Sequence, residues 1–453
     1  MRRVTPLALL LVASALAIVV PSADPIVKGG PVVGADVAWM MTASGLVLLM
    51  TPGLSFFYGG MVQKKNVIST MLQSLMAMIV ISILWVVVGF SLAFGDDIGG
   101  VIGNPMTFFM FRHVGTATHP GLAPTIPLVV FALFHLKFAI ITPALITGSF
   151  AERVRFWSVV TFTALFSLVI YCPLAHATWH PDGFLHRWGA LDFAGGTVVH
   201  TSAGMAALAG AMVLGRRKLL ETGGEHVPAN IPFVILGTGM LWFGWFGFNA
   251  GSALAASEQA ALAFATTNTA SAAAALAWMA FDVLRRRKAS ALGACIGAVV
   301  GLVAITPAAG YVSVAQSIII GTVSSIISNV AVHWKSRSSL DDTLDVFPCH
   351  GVGGMVGMIA TGVFAADVGL IHGDSRIFLV QLLTLAIAAP YAFVGSWLLY
   401  RLTDAIIPLR VSERQEMIGL DITQHDETVS TRGVRAAYES LQGELFEPGR
   451  EET

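Results

Sequence analysis

Charge is what this chain lacks most. Only 12% of its 453 residues are Asp, Glu, Lys or Arg, whereas a soluble domain carries about 25%; a solvated globular domain and a disordered chain are both excluded. Cysteine is nearly absent too. Cys172, Cys295 and Cys349 sit far apart in apolar segments, so they fit neither a disulfide framework nor a zinc site and read as small core residues. The formal net charge is −1, with no basic excess to suggest a nucleic-acid partner. What fills the chain is apolar, at 55% of residues, with 46 glycines. That is the composition of an all-α polytopic membrane protein, because only helices or closed barrels satisfy their backbone inside lipid.

The first residues, MRRVTPLALLLVASALAIVVPSADP, give a basic start, an apolar run and small residues near Ser22 and Ala23, the pattern of a cleaved secretory signal over residues 1–23. The competing reading is a short extra span, but the run is short of the roughly 20 residues a crossing needs. From residue 35 to 402, apolar runs recur between short polar loops. They predict helices at 36–59, 67–94, 126–150, 156–178, 193–214, 231–251, 261–281, 290–307, 314–334, 344–364 and 376–402, about eleven spans in one transmembrane domain. Residues 403–453 form a polar tail.

Loop charge alternates. Lys64 and Lys65, Arg153 and Arg155, Arg216 to Lys218, Arg285 to Lys288, and Lys335 with Arg337 fall in every second loop, while the opposite loops hold little more than Arg112, Arg187 and Arg376. The positive-inside rule therefore places the mature N-terminus outside and the C-terminus in the cytoplasm, which agrees with an odd number of spans.

Two stretches stand out. DFAGGTVVH, from Asp192 to His200, and DTLDVFPCH, from Asp342 to His350, share the outline D-x7-H, with Gly204 and Gly354 at equal distances beyond. They fall near the fifth and tenth spans, as two inverted five-helix repeats plus a final helix would place them, and such repeats build a substrate path at their interface. Ionisable side chains inside a span are functional candidates by default.

Longer motifs carry a resemblance: MTPGLSFFYGGMVQKKNVIST (Met50 to Thr70), ITPALITGSFAERVRF (Ile141 to Phe156), DFAGGTVVH, WFGFNAGSA (Trp245 to Ala253), LGACIGAVVGLVAITPAAGYV (Leu292 to Val312) and DVFPCHGVGG (Asp345 to Gly354). With these in order from about Asp36 to the tail, the chain resembles the Amt/Mep/Rh ammonium transporter family, on the Amt side.

The resemblance implies roles residue by residue. His200 and His350 match twin histidines that share a hydrogen bond across a narrow hydrophobic pore. A lone buried His reads as a satisfied core residue, but two in matching halves reverse that preference, and neutral imidazoles suit ammonia better than a bare cation. Phe134, Trp179 and Ser252 match an outer site that recruits ammonium, where cation–π attraction contributes about 0.5 to 2 kcal/mol. Without the motif, such aromatics would read as interface anchors. Phe138 and Phe248 match a stacked phenyl gate that would otherwise read as packing. Asp192 matches an aspartate expected to accept backbone and hydroxyl hydrogen bonds and to favour cations in the vestibule. Asp342 and Asp345 suit a helix N-terminus at the cytoplasmic start of the tenth span.

Some residues depart from the family pattern. His135 and Lys137 stand where Gln and an apolar residue are expected, and Lys137 is read as packed away from the vestibule, against a neighbouring helix or subunit. In the tail, EMIGLDITQHDE (Glu416 to Glu427) resembles the family's regulatory region, with Gly419 expected at a turn and Asp426 where Gly is common. There the family packs the tail against a neighbouring subunit's cytosolic loops. The last fifteen or so residues read as solvated.

The expectation is thus an ammonium transporter of the cytoplasmic membrane, with methylammonium as a substrate analogue. It is expected to be a homotrimer in the lipid bilayer, without cofactor or metal, not an enzyme, and possible to regulate through a PII-type signal protein. An ammonium sensor signalling through the tail is the alternative. An intramembrane hydrolase would need a nucleophile motif such as G-x-S-x-G beside the histidines, and none stands there.

Overall fold

A run of about 20 apolar residues removed from water can satisfy its amides only within itself, so each run closes into a helix. A computed structural model describes residues 5–20 and 22–429. Among these, ten helices are long and apolar enough to cross a membrane. The first five are Gly34–Met61, Lys64–Phe94, Leu128–Ser149, Phe156–Trp188 and Gly196–Leu214, and the later five are Ile231–Ala253, Glu258–Leu284, Val314–Ser336, Phe347–Phe364 and Arg376–Ile406. Ala291–Ile305 is shorter and apolar. It packs within the bundle against Glu258–Leu284 and Val314–Ser336 and completes the expected eleven as the eighth. The apolar N-terminal run is also helical, at Thr5–Val19.

Boundaries depart from expectation where the backbone has a local reason. The fourth span, expected to end at 178, is helical to Trp179 and, after a turn, again over Phe184–Trp188. It widens into a π-turn at Ser167–Tyr171, just before Pro173, whose missing N–H interrupts the α-helical ladder. The fifth begins at Gly196 rather than 193, because Asp192 and the left-handed Gly195 (φ +112°) form its cap.

The repeat seen in sequence is a repeat of construction. The fifth and tenth spans both open with a π-turn, Gly196–Thr201 and Phe347–Val352, and each π-turn carries one histidine of interest. Each also receives an aspartate in the same way. Oδ2 of Asp192 accepts from the amide of Thr197, and Oδ2 of Asp342 from that of Phe347, both five residues on and both at 2.7 Å. π-turns are rare and gather at functional sites.

Close packing of backbones makes the crossing possible. The first and sixth spans pack along their length, and a Cβ at Gly237 would fall on the backbone of Phe57 and Gly53. Where the fifth and tenth spans cross, a Cβ on Gly204 would fall on Cα and N of Gly351, and one on Gly354 would lie 2.9 Å from the Gly196 carbonyl and 3.0 Å from Cβ of His200. Small residues at helix crossings replace the hydrophobic drive that lipid does not supply.

One end of the bundle is tied by buried charge. Arg217 makes a two-pronged contact with Asp341, Nε to Oδ2 at 2.9 Å and Nη2 to Oδ1 at 3.0 Å, and reaches Glu152 at 2.6 Å. Arg153, fully buried, donates to the Asp341 carbonyl and to Thr343. Burial alone would raise the Asp341 carboxyl, but Arg153 and Arg217 outweigh it and hold the group at about 2.

The tail docks on this end through Glu413–Ile418 and Leu420–His425. Lys65 donates to the Met417 carbonyl, the Leu420 amide to Asn66, and the Ser69 amide to Asp421. Gly419 (φ +118°) lies against Lys65, where a Cβ would be 2.6 Å from that residue's own Cβ. Asp426, standing where Gly is common, is left-handed (φ +55°), a conformation Asp tolerates better than most residues. Within this chain the docking surface is its own loops. The last fifteen or so residues lie outside the described ones.

Candidate functional site

The end of the bundle away from the docked tail holds a cavity of about 590 Å³, termed the outer cavity after the orientation expected from loop charge, lined by Phe134, His135, Phe138, Trp179, Asp192, Ser252, Gln259 and Tyr311, among others. Three different helical segments supply the expected recruitment residues: Phe134 comes from the third span, Trp179 from the fourth and Ser252 from the turn closing the sixth. The structure brings all three together. Ser252 donates its hydroxyl hydrogen to the Phe248 carbonyl at 2.9 Å, which leaves the oxygen lone pairs as acceptors and suits a cation that only donates. The Trp179 indole N–H donates to the Asp192 carbonyl at 3.0 Å, fixing the ring in the wall.

Asp192 is the anchor of this arrangement. Oδ1 accepts from the amides of Gly195 and Gly196 at 2.8 and 2.6 Å, and Oδ2 from those of Thr197 and Val198 at 2.7 and 3.4 Å. A carboxylate so placed satisfies the free amides at a helix start and meets the positive end of the helix dipole. The expected hydroxyl donors do not reach it: Oγ1 of Thr197 has no hydrogen-bond partner, because the π-turn presents the amides first.

The floor of the cavity is aromatic. Phe138 and Phe248 lie nearly parallel, with centroids 4.1 Å apart and planes at 18°. Phe134 and Trp179 lean on Phe138 at 4.9 and 5.9 Å. Both rings are almost fully buried. They offer a crossing molecule no hydrogen bond, and an ion that loses hydration uncompensated meets a barrier far above thermal energy.

Directly beyond lies His200, its centroid 6.0 Å from Phe248, and then His350 at 5.4 Å. Their Nδ1 atoms are 3.3 Å apart. One Nδ1 must carry a hydrogen and the other must not, so a bonded pair of neutral rings uses opposite tautomers. Nε2 of His200 has no hydrogen-bond partner. Trp245 lies beside His200, centroids 5.4 Å apart and planes at 20°, and donates to Thr306 at 2.9 Å. On the far side His350 borders a small cavity with Phe57, Tyr58, Leu344 and Cys349.

The nine residues singled out in the sequence therefore separate into two groups. Phe134, Trp179, Ser252, Asp192, Phe138, Phe248, His200 and His350 form one continuous line, whereas Gly419 is at the docked tail. Lys137 is half-buried and does not line the outer cavity, since two residues along a helix turn its side chain roughly 200° from His135. Asp342 is buried at the start of the tenth span, and burial, partly offset by Lys335, raises its carboxyl to about 6. Asp345 pairs with Lys335 at 2.7 Å. Sequence reasoning gave no role to Trp245, although it stands in a quoted motif, nor to Gln259 and Tyr311. Only their position in the folded wall marks them. Among the described residues no group of three or more His, Cys, Asp or Glu could hold a metal.

Known proteins match this chain along most of its length. The sequence model of the Ammonium Transporter Family matches residues 38–430. A putative ammonium transporter of Methanothermobacter thermautotrophicus is 42% identical over 403 residues, covering 87% of this chain and 97% of that protein. The crystal structure of Saccharomyces cerevisiae Mep2 superposes with a TM-score of 0.81 at 34% identity, over 89% of this chain and 93% of that one. A structure described as a sensor Amt protein gives a TM-score of 0.79 at 30% identity, over 86% and 98%. The chain is a multi-pass membrane protein of the ammonium transporter family.

Proposed function

We propose that this chain carries ammonium across the cytoplasmic membrane by recruiting the cation between Phe134, Trp179 and Ser252, removing its proton, and passing ammonia between Phe138 and Phe248 and along His200 and His350. The observation that carries the reading is the unbroken sequence of outer cavity, stacked phenyl pair and histidine pair. An aromatic-walled cavity attracts a cation, the phenyl pair turns away anything that must stay hydrated, and neutral imidazoles can exchange hydrogen bonds with ammonia. Asp192 supports the cavity as a structural anion, not as a proton carrier, because its carboxylate is committed to four amides.

The alternation of loop charge supports an outer N-terminus and a cytoplasmic C-terminus, with residues 1–23 as a signal removed on export and 35–402 as the transport domain. The resemblance supports a homotrimer with one pore per subunit. It also supports regulation at the cytosolic tail 403–453, where Gly419 permits docking and a PII-type protein is the candidate partner.

The test is methylammonium uptake and ammonium-evoked current in proteoliposomes, comparing wild type with His200→Asp and His350→Asp. Saturable uptake that both changes alter supports a histidine-lined path, and accompanying current means that net charge moves. A second reading, a sensor acting through its tail, is favoured by the likeness to the sensor Amt protein and by the tail's docking contacts. Ammonium binding without any wild-type flux would favour it and sink transport.

A further inference from the structure

His135 lies in the wall of the outer cavity, one residue from Phe134 and three from Phe138. Its ring centroid is 4.4 Å from that of Phe131, 4.5 Å from Phe94, 5.5 Å from Trp179 and 5.9 Å from Phe138. The side chain is more than nine-tenths buried, and Nδ1, itself without accessible surface, has no hydrogen-bond partner. Buried polar groups are normally paired, so a histidine in a cavity wall with a ring nitrogen left unpaired needs an explanation.

We propose that His135 is the base that takes the proton from recruited ammonium, so that ammonia alone enters between Phe138 and Phe248. This rests on the transport reading above. In the step, an N–H bond of ammonium breaks and its electron pair stays on the departing ammonia, while the proton forms an N–H bond on the neutral imidazole. The imidazolium then returns the proton to water of the outer cavity. Gln, the residue expected at this position, can hydrogen-bond ammonium but cannot accept its proton.

The other groups that could accept the proton are less suited. Asp192 has its carboxylate filled by amides, His186 is exposed at the rim, and Tyr311 is a phenol whose neutral form is no base. His176, on the fourth span with Trp179, is bonded to Asp97 at 2.9 Å, stacks on His180, and Asp97 also faces Arg187. On its own helix, the half-buried Lys137 is outside the wall. Once protonated, the ring both loses its acceptor and repels the incoming cation.

The experiment is methylammonium uptake in proteoliposomes with inner pH clamped and outer pH lowered from about 8 to about 4, across the range where histidine titrates. Wild-type flux should fall on the acidic side. H135Q should lose about 100-fold in flux at neutral outer pH, the low end of a general base's contribution, and its acidic limb should flatten. H135F keeps the aromatic packing and should be as slow as H135Q, with wild-type thermal stability. H135Q with wild-type rate and profile overturns the assignment while leaving transport intact. A wild-type profile flat throughout the range overturns it without any variant. Wild type that carries no methylammonium overturns the transport reading, and this assignment with it.

Discussion

Gly354→Ala is the sharpest probe of how the fifth and tenth spans cross. The added methyl would sit 2.9 Å from the Gly196 carbonyl oxygen, 3.0 Å from Cβ of His200 and 3.1 Å from the Thr201 amide. Two of these neighbours are backbone and the third is the root of a pore histidine, so none can swing aside. Ordinary contact is about 3.5 Å, and the fifth and tenth spans must therefore separate by about half an ångström. The two Nδ1 atoms, 3.3 Å apart, would move to nearly 4 Å, beyond the range in which such a bond survives. Overpacking of this kind costs about 1–3 kcal/mol. We expect G354A to unfold at lower temperature in detergent and to lose about tenfold in methylammonium uptake, while Gly34→Ala, with nothing within 4 Å of its added methyl, should behave as wild type. Wild-type uptake and stability in G354A would refute the reasoning, because the histidine separation would then not be set by this crossing.

Three other perturbations follow from the same geometry. Phe248→Ala removes half of a buried stacked pair and should cost about 3–5 kcal/mol in stability. It should also let water through, read as faster osmotic shrinkage of proteoliposomes; an unchanged rate would mean that the phenyl pair is not the barrier. Arg217→Met leaves Glu152 and Asp341 buried without their shared partner, a loss of about 3–5 kcal/mol that thermal unfolding would detect, and an unshifted transition would show the pair to be dispensable. Asp341 is held at about 2, below its ordinary 3.8. Its contribution to stability is therefore full above about pH 4 and lost between about 4 and 2. Asp421 runs the other way: burial, opposed by the Ser69 amide, raises it to about 6, so the docked tail keeps a proton there at low pH and loosens as that proton is lost, with pH rising from about 4 through 6. Hydrogen exchange at Ser69, corrected for the intrinsic effect of pH, should speed up over that window in wild type and not in Asp421→Asn. Equal pH dependence in both would exclude Asp421 as the cause.

Much of the path was legible because membrane chemistry makes it conspicuous. His200 and His350 stood out as ionisable groups in spans of Gly, Ala and Val, and their shared spacing from Asp192 and Asp342 already implied two related halves. The aromatics were harder. Phe138, Phe248, Phe134 and Trp179 are four among 27 Phe and 10 Trp, and nothing in local periodicity separates a gate from ordinary packing; only their place in longer motifs did. Trp245 escaped notice because its role depends on lying beside His200, a residue 45 positions away on another helix.

The sequence by itself determined the solvent and the number of spans. Each follows from a local sum of apolar length that needs no partner. The tertiary structure decided which side chains meet. It turned two D-x7-H outlines into crossed π-turns, placed His135 in the cavity wall and Lys137 outside it, and closed the Arg217 network over Asp341 and Glu152. Those outcomes depend on contacts between residues far apart in the chain, where half an ångström at one glycine decides whether two histidines share a hydrogen.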